Sequence, residues 1–111
     1  MNSQQVKIRD NLLIGFIAQH RGVDNIISPK AICEFLGENG FHTKRDAIHQ
    51  IVRKIILQQY LPICSANGKG YFWAESQTDI QSSIDDLQSR IDEMQNRIEI
   101  LKKFIFTNER N

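Results

Sequence analysis

Residues 80–105 read IQSSIDDLQSRIDEMQNRIEILKKFI, and their apolar side chains recur in unbroken steps of four and three. Written as a heptad, Ile84, Ile91, Ile98 and Ile105 occupy position a, and Ile80, Leu87, Met94 and Leu101 occupy position d. This is the seam of a coiled coil, and β-branched residues at a with leucine dominating d favour two parallel strands. The C-terminal third therefore predicts an oligomerisation helix over residues 77–106, most simply a dimer. At about 1.5 Å per residue the stripe runs roughly 39 Å, longer than the roughly 29 Å diameter expected of a 75-residue domain. Burying eight such side chains is worth on the order of 12 kcal/mol before entropy, and a second chain is the simplest cover.

Flanking charges leave strand orientation open. Asp86 to Arg90, Glu93 to Arg97 and Glu99 to Lys103 are i, i+4 pairs that support the helix itself. In a parallel pair, however, Arg97 at g faces Lys102 at e of the partner, and Arg90 faces uncharged Gln95. Ile100, Phe104 and Phe106 lie off the seam and widen the apolar surface near the end, where another helix or another protein has room to dock.

With 111 residues and 41% hydrophobic content, the chain can build one modest core, placed here in residues 1–75, with the helix as an appendage. No apolar run approaches the roughly 20 residues that cross a bilayer, and Met1 to Asp10 is too polar for a signal peptide, so no membrane contact and a cytoplasmic location are expected. Cys33 and Cys64 are too few for a disulfide framework and form no CxxC pair. The net charge of +1 conceals an uneven distribution. Residues 1–40 balance, residues 41–74 carry Lys44, Arg45, Arg53, Lys54 and Lys69 against Asp46 alone, and residues 75–111 carry five basic against eight acidic side chains. A polyanion would meet the chain in its middle segment.

Upstream of the heptads the chain shows no internal repeat and no low-complexity tract. Val6, Leu12, Leu13, Phe16 and Ile17 predict a first helix over about 4–19. Ser28-Pro29 is an N-cap followed by proline at the first helical position, Ile32, Phe35 and Leu36 supply the apolar face, and Gly37 and Gly40 close this second helix. Thr43 is placed to cap a third helix reaching about Gln59, with Asp46 at its third position. On it Ile48, Ile51, Val52 and Ile55 share one side, and Asp46, His49, Gln50 and Arg53 the other. Then Leu61-Pro62-Ile63-Cys64-Ser65 and Tyr71-Phe72-Trp73-Ala74 are β-type runs around Asn67-Gly68, which predicts a hairpin with Cys64 opposite Tyr71 and Ile63 opposite Phe72.

Mainly α structure with one small β-hairpin, in the order helix, helix, helix, hairpin, is the layout of a winged helix-turn-helix. Residues 26–74 resemble the small winged-helix domains at the start of biotin-repressor-type regulators. The phrase Leu61-Pro62-Ile63-Cys64-Ser65 with Lys69-Gly70-Tyr71-Phe72 is similar to the wing of small phage and prophage winged-helix proteins. The resemblance implies a DNA-binding fold with the third helix in the major groove and the hairpin beside the backbone, and it implies no catalytic activity.

The residues agree with a double-stranded DNA partner. Lys44, Arg45, His49, Gln50 and Arg53 are long donors on the third helix, where arginine reads guanine and glutamine adenine, with Lys54 flanking that face. Lys69 at the wing tip is a phosphate contact that positions without specifying. Tyr71, Phe72 and Trp73 fit a core on one face and a junction on the other, with Trp73 against the long helix, better than a stacking platform. His20, His42 and His49 lack the spacing of a zinc site, and no nucleophile elbow or phosphate loop is present, so neither a metal, a cofactor nor an enzyme is expected. The reading is a winged-helix protein acting in phage or bacterial transcription regulation, or in replication and recombination. Its alternative is a non-enzymatic interaction module or phage-encoded inhibitor that binds a protein partner.

Overall fold

A computed structural model describes residues 1–66 and 68–109, with side chains through residue 105. Asn67, half of the expected turn, and the side chain of Phe106 lie outside the described residues. The order is α1 (Ser3–Ala18), α2 (Pro29–Glu38), α3 (Arg45–Gln59), β1 (Ile63–Ala66), β2 (Gly70–Trp73) and α4 (Gln77–Glu109). The chain divides into two compact units, Met1–Ile80 and Gln81–Asn111.

Each short helix is bounded by identifiable chemistry. Asn2 and Gln5 form a reciprocal capping box at the start of α1, with the Gln5 N–H donating to Asn2 Oδ1 at 2.9 Å and the Asn2 N–H to Gln5 Oε1 at 3.0 Å. Ser28 Oγ accepts from the Ala31 N–H at 3.1 Å, and Pro29 follows at the first helical position, as the sequence predicts. Gly40, at φ +87°, ends α2 in a paired closure: its N–H donates to the Gly37 carbonyl and the Phe41 N–H to the Leu36 carbonyl. Thr43 does not cap α3. Its hydroxyl turns back to the Phe41 carbonyl at 3.2 Å, and Lys44 takes the N-cap position without a side-chain bond.

Leu13 and Ile17 of α1, Ile32 and Leu36 of α2, and Ile48, Val52 and Ile55 of α3 are fully or almost fully buried and form one core with Ile27, Ile63 and Tyr71. Each such side chain contributes roughly 1.5–3 kcal/mol of burial. Among the described residues Asp10 is the one charged residue in the buried set; Arg9 answers it, with Nε and Nη2 donating to the same Oδ1 at 3.1 and 3.0 Å.

The hairpin register differs by one residue from the expected one. Ile63 pairs with Trp73, Cys64 with Phe72, Ser65 with Tyr71 and Ala66 with Gly70. Three residues, not two, separate the strands: the Lys69 N–H closes onto the Ala66 carbonyl, and Gly70 is needed at φ +143° to resume pairing. A one-residue slip exchanges faces. Ile63, Tyr71 and Trp73 therefore share the core face, with Trp73 at its edge, while Cys64 and Phe72 lie on the other. From that second face Cys64 Sγ reaches the Asp79 carbonyl in the first turn of α4 at 3.9 Å.

Strand β2 is also paired on its free edge. Ile27 and Tyr71 exchange both backbone hydrogen bonds, at 2.7 and 2.9 Å, and residues 20–22 bond Trp73 on both its N–H and its carbonyl. This approach excludes a side chain at residue 70, since a Cβ there would collide with the Ile27 carbonyl oxygen.

Ser76 Oγ caps α4 by accepting from the Asp79 N–H at 3.2 Å. Along the helix, Gln81 donates to Asp85, Gln88 to Asp92 and Gln95 to Glu99, at 2.9 to 3.0 Å, in a polar repeat of seven residues. The expected Asp86–Arg90 and Glu93–Arg97 pairs are not closed, and Glu99 takes Lys102 at 3.4 Å; solvated side chains gain too little from pairing to be held. No described helix is long and apolar enough to cross a membrane.

Replacing Gly70 with alanine should cost about 3 kcal/mol of stability, whereas Gly40→Ala, where a Cβ meets open space, should cost only about 1 kcal/mol. Urea unfolding followed by the fluorescence of Trp73, the single tryptophan, measures both.

Candidate nucleic-acid interface

The buried residues of α3 fix which face is left outside. With Ile48, Val52 and Ile55 turned into the core, a 100° step leaves Gln50, Arg53, Lys54, Leu57 and Gln58 around a shallow, open depression on the exposed side. Lys44, Arg45, His49, Gln50, Arg53 and Lys54 are all exposed, and Lys69 is exposed in the hairpin loop. Six of the seven predicted contact residues thus share α3 and its N-cap. Among the described residues, none of the five cations in this set forms an ion pair.

Electrostatics sharpen the pattern. The first N–H groups of a helix carry a partial positive charge, and cations placed there are unfavourable. Lys44 and Arg45 occupy that end without a side-chain cap, offset only by Asp46 in the first turn. The chain concentrates positive potential where it costs helix stability.

His49 is not the free donor that the sequence suggests. Its Nδ1 lies 2.6 Å from the Tyr71 hydroxyl, a bond from the exposed side of α3 to the central strand. The donor is the phenol or the ring N–H according to the tautomer, and only the second ring nitrogen is left for another partner. The bond ties α3 to strand β2 of the hairpin. Burial pushes the Tyr71 phenol above its ordinary value of 10.0, because the phenolate loses hydration there.

Two exposed residues were missed by a reading that looked for donors. Leu57 is 65% exposed on the polar side of α3, one turn beyond Arg53 and Lys54. Tyr60 is 90% exposed and is the one described residue other than glycine with positive φ, at 54°, where its N–H closes α3 onto the Ile56 carbonyl. The position of Leu57 was readable, since helical spacing puts it beside Gln50, Arg53 and Lys54.

No cluster of histidine, cysteine or carboxylate side chains among the described residues is arranged to hold a metal ion. No family model, no curated protein and no solved structure matches the chain.

Removing the Tyr71 hydroxyl tests the tie between helix and hairpin. Tyr71→Phe should cost about 1 kcal/mol at neutral pH. The raised phenol makes a further, pH-dependent difference. The unfolded chain ionises first, so stability from the neutral phenol is intact below pH 10.0 and is lost as pH rises through the higher folded value. Wild-type stability should therefore fall more steeply than that of Tyr71→Phe in this alkaline window, as followed by denaturant titration across pH.

Proposed function

We propose that this chain is a small winged-helix protein that binds double-stranded DNA and is oligomerised by its C-terminal helix, acting in phage or bacterial transcription control or in DNA replication and recombination. The observation that carries the reading is the exposed face of α3, where Lys44, Arg45, Arg53 and Lys54 form no ion pair among the described residues and Asp46, the one acidic residue of the helix, leaves most of the counter-charge to be supplied. A polyanion supplies it. The order of three helices and a hairpin supports the same reading, as does the His49–Tyr71 bond, which joins a groove-sized helix to the hairpin.

In this reading Arg45, Gln50 and Arg53 face base edges, and Lys44, Lys54 and Lys69 face phosphates. Each copy covers one half-site, and the seam of α4 sets how many are joined. A second reading, docking of a protein partner, draws on Leu57 and Tyr60, whose exposed apolar surface phosphate contacts do not use.

Fluorescence anisotropy with labelled duplexes at several salt concentrations separates the two. Lys44→Ala and Lys69→Ala should each lower the slope of log Kd against log salt by about 0.9, weakening all sequences alike. Arg53→Ala should cost about 1–3 kcal/mol on the preferred sequence and relax preference at one position. Duplex binding that is absent, or unchanged in Arg45→Ala/Arg53→Ala, overturns the DNA reading and leaves the protein-docking one.

A further inference from the structure

The seam of α4 is exposed, with Ile84, Leu87, Ile91, Met94 and Ile98 each about half accessible. We infer that it is covered by α4 of a second copy, in a parallel, in-register, two-stranded coil that tethers both Met1–Ile80 units at one end; this deepens the oligomer half of the function proposed above.

Three observations carry the orientation. The first is segregation: isoleucine fills every a position, and leucine or methionine fills d after Ile80. Only when a meets a and d meets d does that sorting create distinct layers, whereas an antiparallel pair mixes Ile84 with Leu101 and Ile91 with Met94. The second is the glutamine ladder. Gln88 and Gln95, at e, spend an amide N–H on Asp92 and Glu99 of their own helix and keep the amide oxygen as an acceptor. In the parallel pair Ser83 and Arg90, at g, bring donors to those oxygens across the seam.

The third concerns like charges. The antiparallel pair sets Arg90 against the partner's Arg97 twice, and the parallel pair sets Arg97 against the partner's Lys102 twice. The parallel clash is relieved on the spot, because Lys102 Nζ leans 3.4 Å from Glu99 Oε1 of its own helix, at b. Among the described residues neither Arg90 nor Arg97 has such an ion-pair partner. Orientation matters to the DNA reading. Parallel strands share a two-fold axis along the coil and present two units to inverted half-sites on one duplex, whereas antiparallel strands would place one unit at each end and bridge two duplexes.

The test is a double-mutant cycle on the full chain, read as the dimer dissociation constant by sedimentation equilibrium at low salt. Residues 90 and 95 are not neighbours on one helix, so coupling between them arises only across a parallel seam. Gln95→Glu should bind its partner roughly fivefold more tightly in the Arg90 background than in Arg90→Gln, and high salt should erase the difference. Equal effects in both backgrounds, or a mass of one or three copies, overturn the inference. No DNA is present in the measurement. Coupling without duplex binding removes only the DNA reading, and duplex binding without coupling removes only the parallel pair.

Discussion

Two backbone hydrogen bonds between Ile27 and Tyr71 join the hairpin to the helical part of the first unit. They make β2 a central strand, with β1 on one side and the segment between α1 and α2 on the other, so a two-stranded hairpin that would be marginal alone is anchored in the helical core. Tyr71 concentrates several roles at one residue. Its backbone pairs on both edges, its ring fills the core, and its hydroxyl bonds His49 of α3. Gly70 is the condition for all of this, because any side chain there would strike the Ile27 carbonyl.

That constraint links fold to surface. The outward face of α3 is set by the burial of Ile48, Val52 and Ile55 with Ile63 and Tyr71 of the hairpin, and the His49–Tyr71 bond adds a polar tie between the same two elements. A helix packed along its inner face and hydrogen-bonded at the flank of that face presents its cations at defined spacing. The arrangement is costly at the N-terminus of α3, where Lys44 and Arg45 oppose the helix dipole. Asp10 shows that the chain neutralises a charge when the fold requires it, with an arginine fork at 3.0 to 3.1 Å. No comparable partner is supplied to the cations of α3 among the described residues.

Helix boundaries that depend on local chemistry were legible in the sequence. Ser28-Pro29 opens α2 and Gly40 closes it because a hydroxyl cap and a positive φ are properties of single residues. The apolar face of α3 was legible because burial follows a fixed angular step. What was missed depends on geometry across the chain. The hairpin register turned on one additional loop residue, Lys69, whose pairing partner no periodicity reveals. The Ile27 bridge has no pattern, being a single pair. Thr43 had the chemistry of a cap but found the Phe41 carbonyl first. The glutamine ladder of α4 was present in the sequence yet invisible to hydropathy, which scores glutamine and aspartate alike as polar.

The exposed seam of α4 completes the physical argument for joining two copies. In the proposed DNA complex a single α3 with five nearby cations would meet few phosphates, and binding through so few counter-ions is weak at physiological salt. Tethering a second unit to the same end of a coil makes its binding intramolecular, at an effective concentration set by the tether instead of by the solution. In the proposed reading the two halves of the molecule depend on each other. The coil would turn weak individual contacts into a stable complex, and a duplex, by holding two units close, would favour a seam that isolated chains must find by collision.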